Sequence, residues 1–269
     1  MKRIVIAVLL VFAVSTVVAT AAPGSDATKN ANAACTALKA KIGATAFTQA
    51  YATFGRCVSS MAPVEQQNLT SANASCTAEQ NDATFAASHG GKTFDQFYGT
   101  GKNSRNAFGN CVSAKAKASS KAEGQDRPNP ARTCRAERTL MGGGPFGALY
   151  GKNANDRNAF GKCVAKAARA QTQNELNAAA ACRAEQGDAT FVAAHSGKTF
   201  AQFYGTNADQ SNAFGKCVSA KAGEKGQTQQ QAKVAAAKAC WSERTASPSA
   251  FRTKYGTFGH CVSLKASGK

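Results

Sequence analysis

The sequence predicts an all-α protein made of five small disulfide-stapled helical repeats in tandem, preceded by a signal peptide. Three observations lead to this prediction. One pattern, Cys followed by Phe, Tyr and then Phe-Gly-x-Cys-Val, occurs five times in the 269 residues. The chain has ten cysteines, an even number with two in each copy of the pattern. The segments around the first cysteine of most copies are rich in Ala, Gln, Lys and Glu, which favour helix.

The amino terminus has the features of a secretory signal peptide, residues 1–21. Lys2 and Arg3 supply positive charge, the run that follows as far as Ala22 is apolar, and Ala19-Thr20-Ala21 fits a small-x-small cleavage site. The apolar run is about long enough to span a bilayer, so an uncleaved membrane anchor is the alternative. No second run of this length follows. We therefore expect no transmembrane segment after cleavage and a secreted or cell-envelope-associated protein.

Five units follow the signal peptide, and they differ mainly in loop length. The second and fourth units are near-copies, the third and fifth are shorter, and the first is the most divergent. The shared Tyr precedes the second cysteine by 6 residues in the outer units and by 13 in the middle three. The difference is about two helical turns, which keeps the same face in phase. The predicted units are residues 22–62, 63–120, 121–170, 171–223 and 224–269.

Unit four illustrates the three helices that we expect in a unit. The alanine-rich segment Asn177–Glu185 carries the first cysteine, and the short amphipathic segment Phe200–Tyr204 ends at a glycine, which is a helix C-cap signal. A third helix then places Phe214, Cys217 and Val218 on one face. Each unit is therefore predicted to be a small helical cluster with its two cysteines on the first and third helices.

The simplest pairing joins the two cysteines of each unit, because each small copy must be able to close its own core. Leu and Ile are scarce, and cores this small usually need covalent staples. Each bridge should contribute about 3–4 kcal/mol in the chain-entropy description. Bridges between neighbouring units are the alternative. The expected pairs are Cys35–Cys57, Cys76–Cys111, Cys134–Cys163, Cys182–Cys217 and Cys240–Cys261.

The connections between units predict an array that is partly rigid and partly jointed. The segment Arg157–Glu185 has no proline and no cluster of turn residues apart from Gly161, so one long helix is expected to link units three and four. The segments Gly124–Pro130 and Gly223–Gly226 have the composition of flexible linkers.

Two Gly-Lys-Thr triplets, Gly91-Lys92-Thr93 and Gly197-Lys198-Thr199, invite comparison with a phosphate-binding loop. That motif requires another glycine five residues before the Gly of the triplet, and Ala86 and Val192 stand there instead. No apolar strand precedes either triplet. We interpret both triplets as surface loops and predict no nucleotide site.

The three histidines, His89, His195 and His260, are expected to be solvated residues. A metal site needs several convergent ligands, and cysteines of an exported chain are usually oxidised. No Cys-x-x-Cys pair is present to indicate a zinc ribbon, a redox centre or haem attachment. We therefore predict no metal and no cofactor.

A glutamate follows the first cysteine by three residues in four of the units. These residues are Glu79, Glu137, Glu185 and Glu243. We interpret them as surface carboxylates paired with a nearby cation, such as Arg183 or Arg244, rather than as a binding feature. Nothing marks the unique pair of carboxylates that a glycosidase needs, and no Gly-x-Ser-x-Gly elbow is present. No catalytic residue is predicted, and the protein is expected not to be an enzyme.

The net charge of +18 is the most informative functional feature. An excess of this size attracts polyanions, such as wall polymers, nucleic acids or anionic lipid headgroups. No dense basic run is present, so we expect non-specific electrostatic attraction, strengthened by several weak units on one chain. An extracellular enzyme or a small-ligand binder with a site between repeats is the alternative. No individual binding residue is predicted.

The run from Tyr204-Gly205-Thr206 to Asn212-Ala213-Phe214-Gly215-Lys216-Cys217-Val218-Ser219 resembles a motif of uncharacterised secreted, cysteine-containing repeat proteins of actinobacterial type. The resemblance extends over most of the chain after the signal peptide. It is weakest in unit one, where Tyr51-Ala52-Thr53 replaces Tyr-Gly-Thr. It implies export and a repeat architecture, and it implies no activity.

Overall fold

The protein is described from a computed structural model, which covers residues 24–101, 103–151 and 156–268. These residues form helices joined by turns, without a strand, so the all-α prediction is confirmed for this part of the chain. The predicted signal peptide, residues 1–21, lies outside the described residues.

Fourteen helices are present in the described residues, and five of them are much longer than the rest. The long helices are α1 (Ser25–Ile42), α3 (Phe54–Gln80), α6 (Ala107–Asp126), α9 (Ala159–Gln186) and α12 (Ala213–Ala246). The shorter helices are α2 (Ala44–Tyr51), α4 (Phe85–Ser88), α5 (Phe94–Tyr98), α7 (Pro130–Met141), α8 (Gly143–Tyr150), α10 (Phe191–Ala194), α11 (Phe200–Tyr204), α13 (Pro248–Tyr255) and α14 (Phe258–Ala266).

Four of the long helices, α3, α6, α9 and α12, each cross one of the boundaries predicted between units. Helix α9 runs from unit three into unit four, so the predicted linking helix is confirmed. Helix α12 runs from unit four into unit five without a break, and the prediction of a flexible linker at Gly223–Gly226 is wrong. Each glycine costs a helix about 1 kcal/mol. The flanking Ala, Gln and Lys residues and the packing of α12 against α9 outweigh that cost.

The connection between units two and three is the one place where a helix break replaces a continuous helix. Helix α6 continues through Gly124 to Asp126, and α7 begins at Pro130, so only residues 127–129 of the predicted linker are non-helical. Pro128 and Pro130 cannot donate backbone hydrogen bonds, and the side chain of Asn129 caps α7 by accepting from the backbone N–H of Ala131 at 2.9 Å.

The chain from α3 to α7 has the same order of elements as the chain from α9 to the end of α12. Phe85 and Phe191, which begin α4 and α10, stand 106 residues apart, and so do Ala107 and Ala213, which begin α6 and α12. At this offset α7 corresponds to the second half of α12. Pro128 and Pro130 therefore separate α6 from α7, whereas the corresponding stretch of the second segment is the continuous helix α12.

A disulfide bridge joins the first and third helical segments of each predicted unit, with Cα atoms 5.9–6.1 Å apart. The bridges are Cys35–Cys57, Cys76–Cys111, Cys134–Cys163, Cys182–Cys217 and Cys240–Cys261. No cysteine is free in the described residues. As expected from the sequence, Phe214, Cys217 and Val218 lie together in a buried cluster.

The small cores around the bridges are not all separate, and this corrects the expectation of a partly jointed array. The cores of units three and five merge into one cluster that contains both Tyr150 and Tyr255. The core of unit one includes Ala165 and Ala168 of α9. Because neighbouring units share buried surface, the described helices pack as one bundle rather than as beads on a string.

Candidate anion-binding cleft

A carboxylate, a tyrosine hydroxyl and a lysine meet beside the disulfide in unit two. The Oε1 atom of Glu79 lies 2.7 Å from the Nζ atom of Lys115, and the hydroxyl of Tyr98 donates to Oε2 of the same carboxylate at 2.9 Å. The lysine comes four residues after the second cysteine. Unit four has the equivalent contacts among Glu185, Tyr204 and Lys221, and unit five has the ion pair Glu243–Lys265. These carboxylates are used within the fold.

The expected pairing of these glutamates with a nearby cation is present, but lysines are the partners, and the examples Arg183 and Arg244 are wrong. Arg183 instead donates to Oε1 of Gln67 at 2.9 Å, and the guanidinium of Arg244 lies 5.5 Å from the centre of the Trp241 ring. Both arginines are one or two residues away from a glutamate on the same helix, and side chains at that spacing do not face each other. The lysines reach the glutamates because the disulfide holds the two helices side by side.

In unit three the glutamate forms its ion pair with a lysine of another unit. Glu137 is buried, accepts from the hydroxyl of Tyr150 at 2.5 Å, and pairs with Lys233 of α12 at 3.0 Å. Burial and the adjacent carboxylate both raise the pKa of Tyr150. This glutamate therefore ties unit three to the helix that links units four and five.

Unit one lacks both the glutamate and the lysine. Leu38 and Met61 stand at the two positions, and both are buried. The hydroxyl of Tyr51 lies 3.0 Å from the hydroxyl of Thr172 on α9 instead of bonding a carboxylate. The ion pair and the apolar pair are thus alternative fillings of the same space, which indicates a structural role for the glutamates.

The Gly-Lys-Thr triplets lie in turns, as expected, and their threonines begin short helices. The side chains of Thr93 and Thr199 each accept from a backbone N–H three residues later, and a glutamine side chain completes a capping box in both cases. The hydroxyls that a phosphate loop would use for a bound cation are therefore occupied in capping.

Two of the three histidines are more buried than expected. The rings of His89 and His195 stack on Phe85 and Phe191 with centroids 3.8 Å apart, and each Nδ1 atom lies 2.8 Å from the carbonyl oxygen of that phenylalanine. His260 is exposed and lies in the first turn of α14. Stacking on a phenylalanine, which the loop composition did not suggest, covers one face of each ring.

Charge is distributed unevenly between the interior and the surface of the described residues. The four buried carboxylates are all glutamates and lie on α3, α6, α7 and α9: Glu65, Glu123, Glu137 and Glu175. Exposed lysines and arginines outnumber exposed carboxylates by more than two to one. The exposed cations include Lys29, Lys39, Lys41, Arg56, Lys92, Arg105, Lys117, Lys121, Arg132, Arg135, Arg138, Arg169, Arg183, Lys198, Lys225, Lys238, Arg244, Arg252 and Lys254.

A basic cleft of about 520 Å³ lies between α1 and α6 and will be called the first cleft. Lys41 of α1 and Lys117 and Lys121 of α6 line it, above a floor of small apolar residues that includes Ala34 and Leu38. Neither Lys117 nor Lys121 forms an ion pair with a carboxylate among the described residues. Glu65 also lines the cleft, but its carboxyl group is hydrogen-bonded to Asn68 and Ser120 rather than paired with either lysine. The two lysines therefore present unpaired positive charge in a concave surface, where the field is focused.

Lys41 is held at the carboxyl end of α6. Its Nζ atom donates to the carbonyl oxygens of Arg127 at 2.6 Å and Gly124 at 3.4 Å, which favours a cation at this end of the helix dipole. Partial burial, and then the neighbouring Arg127 charge, lower the pKa of Lys41. The position of this lysine is thus set by the helix terminus rather than by a carboxylate.

A buried polar cluster supports the first cleft from below. The guanidinium of Arg127 binds the carboxylate of Glu175 through two hydrogen bonds, of which the Nε–Oε1 distance is 2.7 Å. Asn68 donates to Glu65 at 3.2 Å and to Glu123 at 3.4 Å. Burial, and then the neighbouring carboxylates, raise the pKa of Glu123 well above its usual value.

The sequence analysis did not predict this cluster or the cleft above it. The positions of this cluster could have been found by comparing residues 57–134 with residues 163–240, which align at a constant offset of 106 residues. At that offset Glu65 corresponds to Gln171, Glu123 to Gln229 and Lys117 to Gly223. Differences at equivalent positions of otherwise similar helices mark the places where the two segments have diverged.

Within the described residues no helix is both long enough and apolar enough to cross a membrane, and no group of three or more His, Cys, Asp or Glu side chains is arranged to hold a metal ion. Comparison with known proteins finds no match to this chain among protein-family models, curated proteins or solved structures.

Proposed function

We propose that this protein is an exported, non-enzymatic protein of five disulfide-stapled repeats that binds anionic polymers of the cell envelope or extracellular space. The binding is electrostatic and distributed over the surface. The first cleft is the strongest local contact, because it combines three lysines in a concave site. Five disulfides in the described residues support an oxidising, extracellular environment.

The observation that carries this proposal is the separation of charge between the inside and the outside. Glutamates at the disulfides and between the long helices are buried or paired within the protein, whereas most lysines and arginines face solvent. The net charge, which is +18 for the whole sequence and +16 without Lys2 and Arg3 (18 − 2) of the predicted signal peptide, is therefore expressed mainly at the surface. Such a surface binds polyanions by releasing their counterions.

Helix α7 adds a second basic face. Arg132, Arg135 and Arg138 are all exposed on successive turns, and none forms an ion pair with a carboxylate among the described residues. An anionic chain that leaves the first cleft can meet further cations of this kind without a second specific site. Multivalent contact of this sort raises avidity at a given strength of each contact.

The test is the salt dependence of binding to a heparin oligosaccharide and to a poly(glycerol phosphate) chain, measured by fluorescence anisotropy. The affinity should fall steeply as salt increases, with a linear log–log slope. The variant Lys117→Gln/Lys121→Gln should reduce the magnitude of that slope by about two, because each phosphate contact contributes close to one.

The matched control is Lys225→Gln/Lys238→Gln, which removes the same charge from exposed positions of α12. It should change the slope by less than about one. Equal effects of the two variants would reject the first cleft as a focus. Binding that does not respond to salt, or no binding at all, would reject the proposed function.

Export and the repeat boundaries have a separate test. Intact mass of the protein recovered from the culture medium should correspond to a chain that begins at Ala22 with all ten cysteines oxidised. Limited proteolysis followed by non-reducing peptide mapping should release fragments whose bridges stay within 22–62, 63–120, 121–170, 171–223 and 224–269. Retention of residues 1–21 or a free thiol would contradict this part of the proposal.

A further inference from the structure

A second cleft, of about 260 Å³, lies where α7, α9 and α12 meet. Its wall on α7 includes Pro130 and Thr133, and its wall on α9 includes Gln171 and Asn174. Its wall on α12 is formed by Ser219, Gly223, Gly226, Gln229, Gln230 and Lys233. The volume equals that of about nine liquid waters, which is room for one six-membered sugar ring.

The second cleft occupies the same place in the segment α7–α9–α12 as the first cleft does in α1–α3–α6. Asn68 donates to Glu123 at 3.4 Å across the first junction, and Asn174 donates to Gln229 at 3.0 Å across the second. The supporting hydrogen bond between the two long helices is therefore the same. What differs is the chemistry of the residues around it.

Four charged residues at the first cleft correspond to uncharged residues at the second: Glu65 to Gln171, Lys117 to Gly223, Lys121 to Gln227 and Glu123 to Gln229. Ser120 corresponds to Gly226, and Arg127 corresponds to Lys233, which keeps a positive charge. The charges that remain are paired within the protein: Arg127 with Glu175, Lys233 with Glu137, and Asp126 with Lys216. An ionic ligand would find no uncompensated partner in this cleft.

Hydrogen-bonding capacity is left over around the cleft. The amide of Asn174 uses its Nδ2 group on Gln229, which leaves its Oδ1 atom and the Nε2 group of Gln229 available. Gln230 uses Nε2 on the carbonyl of Thr133 at 3.4 Å and keeps its Oε1 atom. The hydroxyl of Ser219 is buried and has no hydrogen-bond partner among the described residues. That hydroxyl is closed off from solvent and therefore from the cleft, so the groups open to a ligand are the carboxamides of Asn174, Gln229 and Gln230.

The two glycines of α12 keep the cleft open at a cost in helix stability. A Cβ atom at Gly223 would meet nothing within 4 Å, and one at Gly226 would only make ordinary contact with the Nδ2 atom of Asn174, 3.8 Å away. Packing of the protein against itself therefore does not require either glycine. Each is a much weaker helix former than alanine, and the space they leave belongs to the cleft.

We propose that the second cleft binds an uncharged, hydroxyl-rich small molecule of the size of one sugar ring. Carboxamides offer a donor and an acceptor on the same group, which matches hydroxyls that also donate and accept. Pro128, Pro130 and Ala222 supply apolar surface for the C–H faces of such a ring. Free sugar and a ring within a neutral glycan share this chemistry.

The test uses the full-length oxidised protein and one ring in three charge states, observed by saturation-transfer NMR and calorimetry. Glucose and N-acetylglucosamine should bind. Glucuronate and glucosamine should bind about tenfold more weakly or worse, because burying an unpaired charge is unfavourable. A neutral oligosaccharide that binds more tightly than the single ring identifies a glycan as the source, and equal binding identifies the free sugar.

Two variants locate the site. Gln230→Ala should weaken binding about fivefold, because it removes the Oε1 atom that the protein leaves unused beside the cleft. Gly226→Leu should fill the cleft and abolish binding, whereas Gly109→Leu, at an exposed glycine of α6 with nothing near its Cβ position, should bind normally. Equal binding of the charged rings, absence of any neutral binding, or unchanged binding by Gly226→Leu would overturn the proposal. The Lys117→Gln/Lys121→Gln variant should bind the sugar normally, so this result is independent of polymer binding.

Discussion

Gly215 of α12 lies directly against the backbone of Ser119 in α6. A Cβ atom at Gly215 would collide with the carbonyl group and Cα atom of Ser119, so the two helices cross at backbone contact. The equivalent residue of α6, Gly109, is exposed and has nothing within 4 Å of its Cβ position. The glycine of the same Phe-Gly-x-Cys motif is therefore needed for close helix packing in α12 but not in α6.

Substitution of these two glycines by alanine should have opposite effects on stability. Gly109→Ala should stabilise the protein by about 0.5–1 kcal/mol, because alanine is the better helix former. Gly215→Ala should destabilise it by about 1–3 kcal/mol, because a backbone neighbour cannot move aside as a side chain can. Urea unfolding of both variants measures the difference. Equal effects would show that α6 and α12 do not cross at this point.

The buried pair of Arg127 and Glu175 should be far more sensitive to truncation than a surface pair. Glu175→Ala leaves the buried guanidinium without its partner and should cost about 3–5 kcal/mol in the free energy of unfolding. Asp26→Ala, which breaks the exposed pair with Lys29, should cost less than about 1 kcal/mol. Denaturant unfolding at neutral pH compares the two. A cost for Glu175→Ala no larger than that for Asp26→Ala would contradict the buried bidentate pair.

Stability should depend on pH through Glu123, which faces Glu65, Asn68, Glu175 and Arg127. Burial first, and then the carboxylates of Glu65 and Glu175, raise its pKa above the ordinary value of 4.5. Between these two pKa values the folded state keeps a proton on Glu123 that the unfolded state releases. The contribution of Glu123 to stability is therefore greatest at low pH and falls as pH rises above about 4.5 towards the raised pKa. Glu123→Gln, which introduces the residue found at the equivalent Gln229, should remove this loss.

The contrasting measurement uses Glu185 under the same conditions. Burial alone would raise its pKa, but hydrogen bonds from Lys221 and Tyr204 outweigh that effect and lower it. Its contribution to stability is therefore present above the ordinary pKa and is lost as pH falls. Glu185→Gln should reduce the sensitivity to acid and leave the decline at higher pH unchanged. Unfolding curves between pH 2 and 8 distinguish the two residues, and identical profiles for both variants would refute the assignment.

The ion pair of unit two should be exchangeable for the apolar pair of unit one. Glu79→Leu alone leaves Lys115 almost buried without a carboxylate and should cost about 1–3 kcal/mol. Glu79→Leu/Lys115→Met, which copies Leu38 and Met61, should recover at least half of that loss. A double-mutant cycle measured by thermal unfolding supplies the interaction energy. Additive costs of the two changes would argue against a shared structural role.

Much of the local structure could be predicted from the sequence. The position of Phe214, Cys217 and Val218 on one helical face follows from their spacing, and α9 follows from a long segment without proline. The prediction of a linker at Gly223–Gly226 is wrong, since a Gly-rich segment is a linker only when nothing packs against it. Here α12 packs on α9 along this segment, and tertiary contact decides the conformation.

The clefts and the buried cluster could not be predicted in the same way. Arg127 and Glu175 are 48 residues apart, and no local pattern links them. The long helices are rich in alanine, so small residues lie on several faces and do not single out the face that contacts a neighbour. The offset between the two similar segments would have pointed to these positions, but not to the enclosed space.

By itself, the sequence determined that this protein is helical, which segments each staple can enclose and how strongly positive the chain is. Those properties depend on residue type, short-range spacing and composition. Only the tertiary structure decided which helices are shared between units, where the carboxylates are hidden and which junction keeps an open, uncharged cleft. These depend on contacts between residues far apart in the chain, whose free energy is set by the space between helices rather than by any one segment.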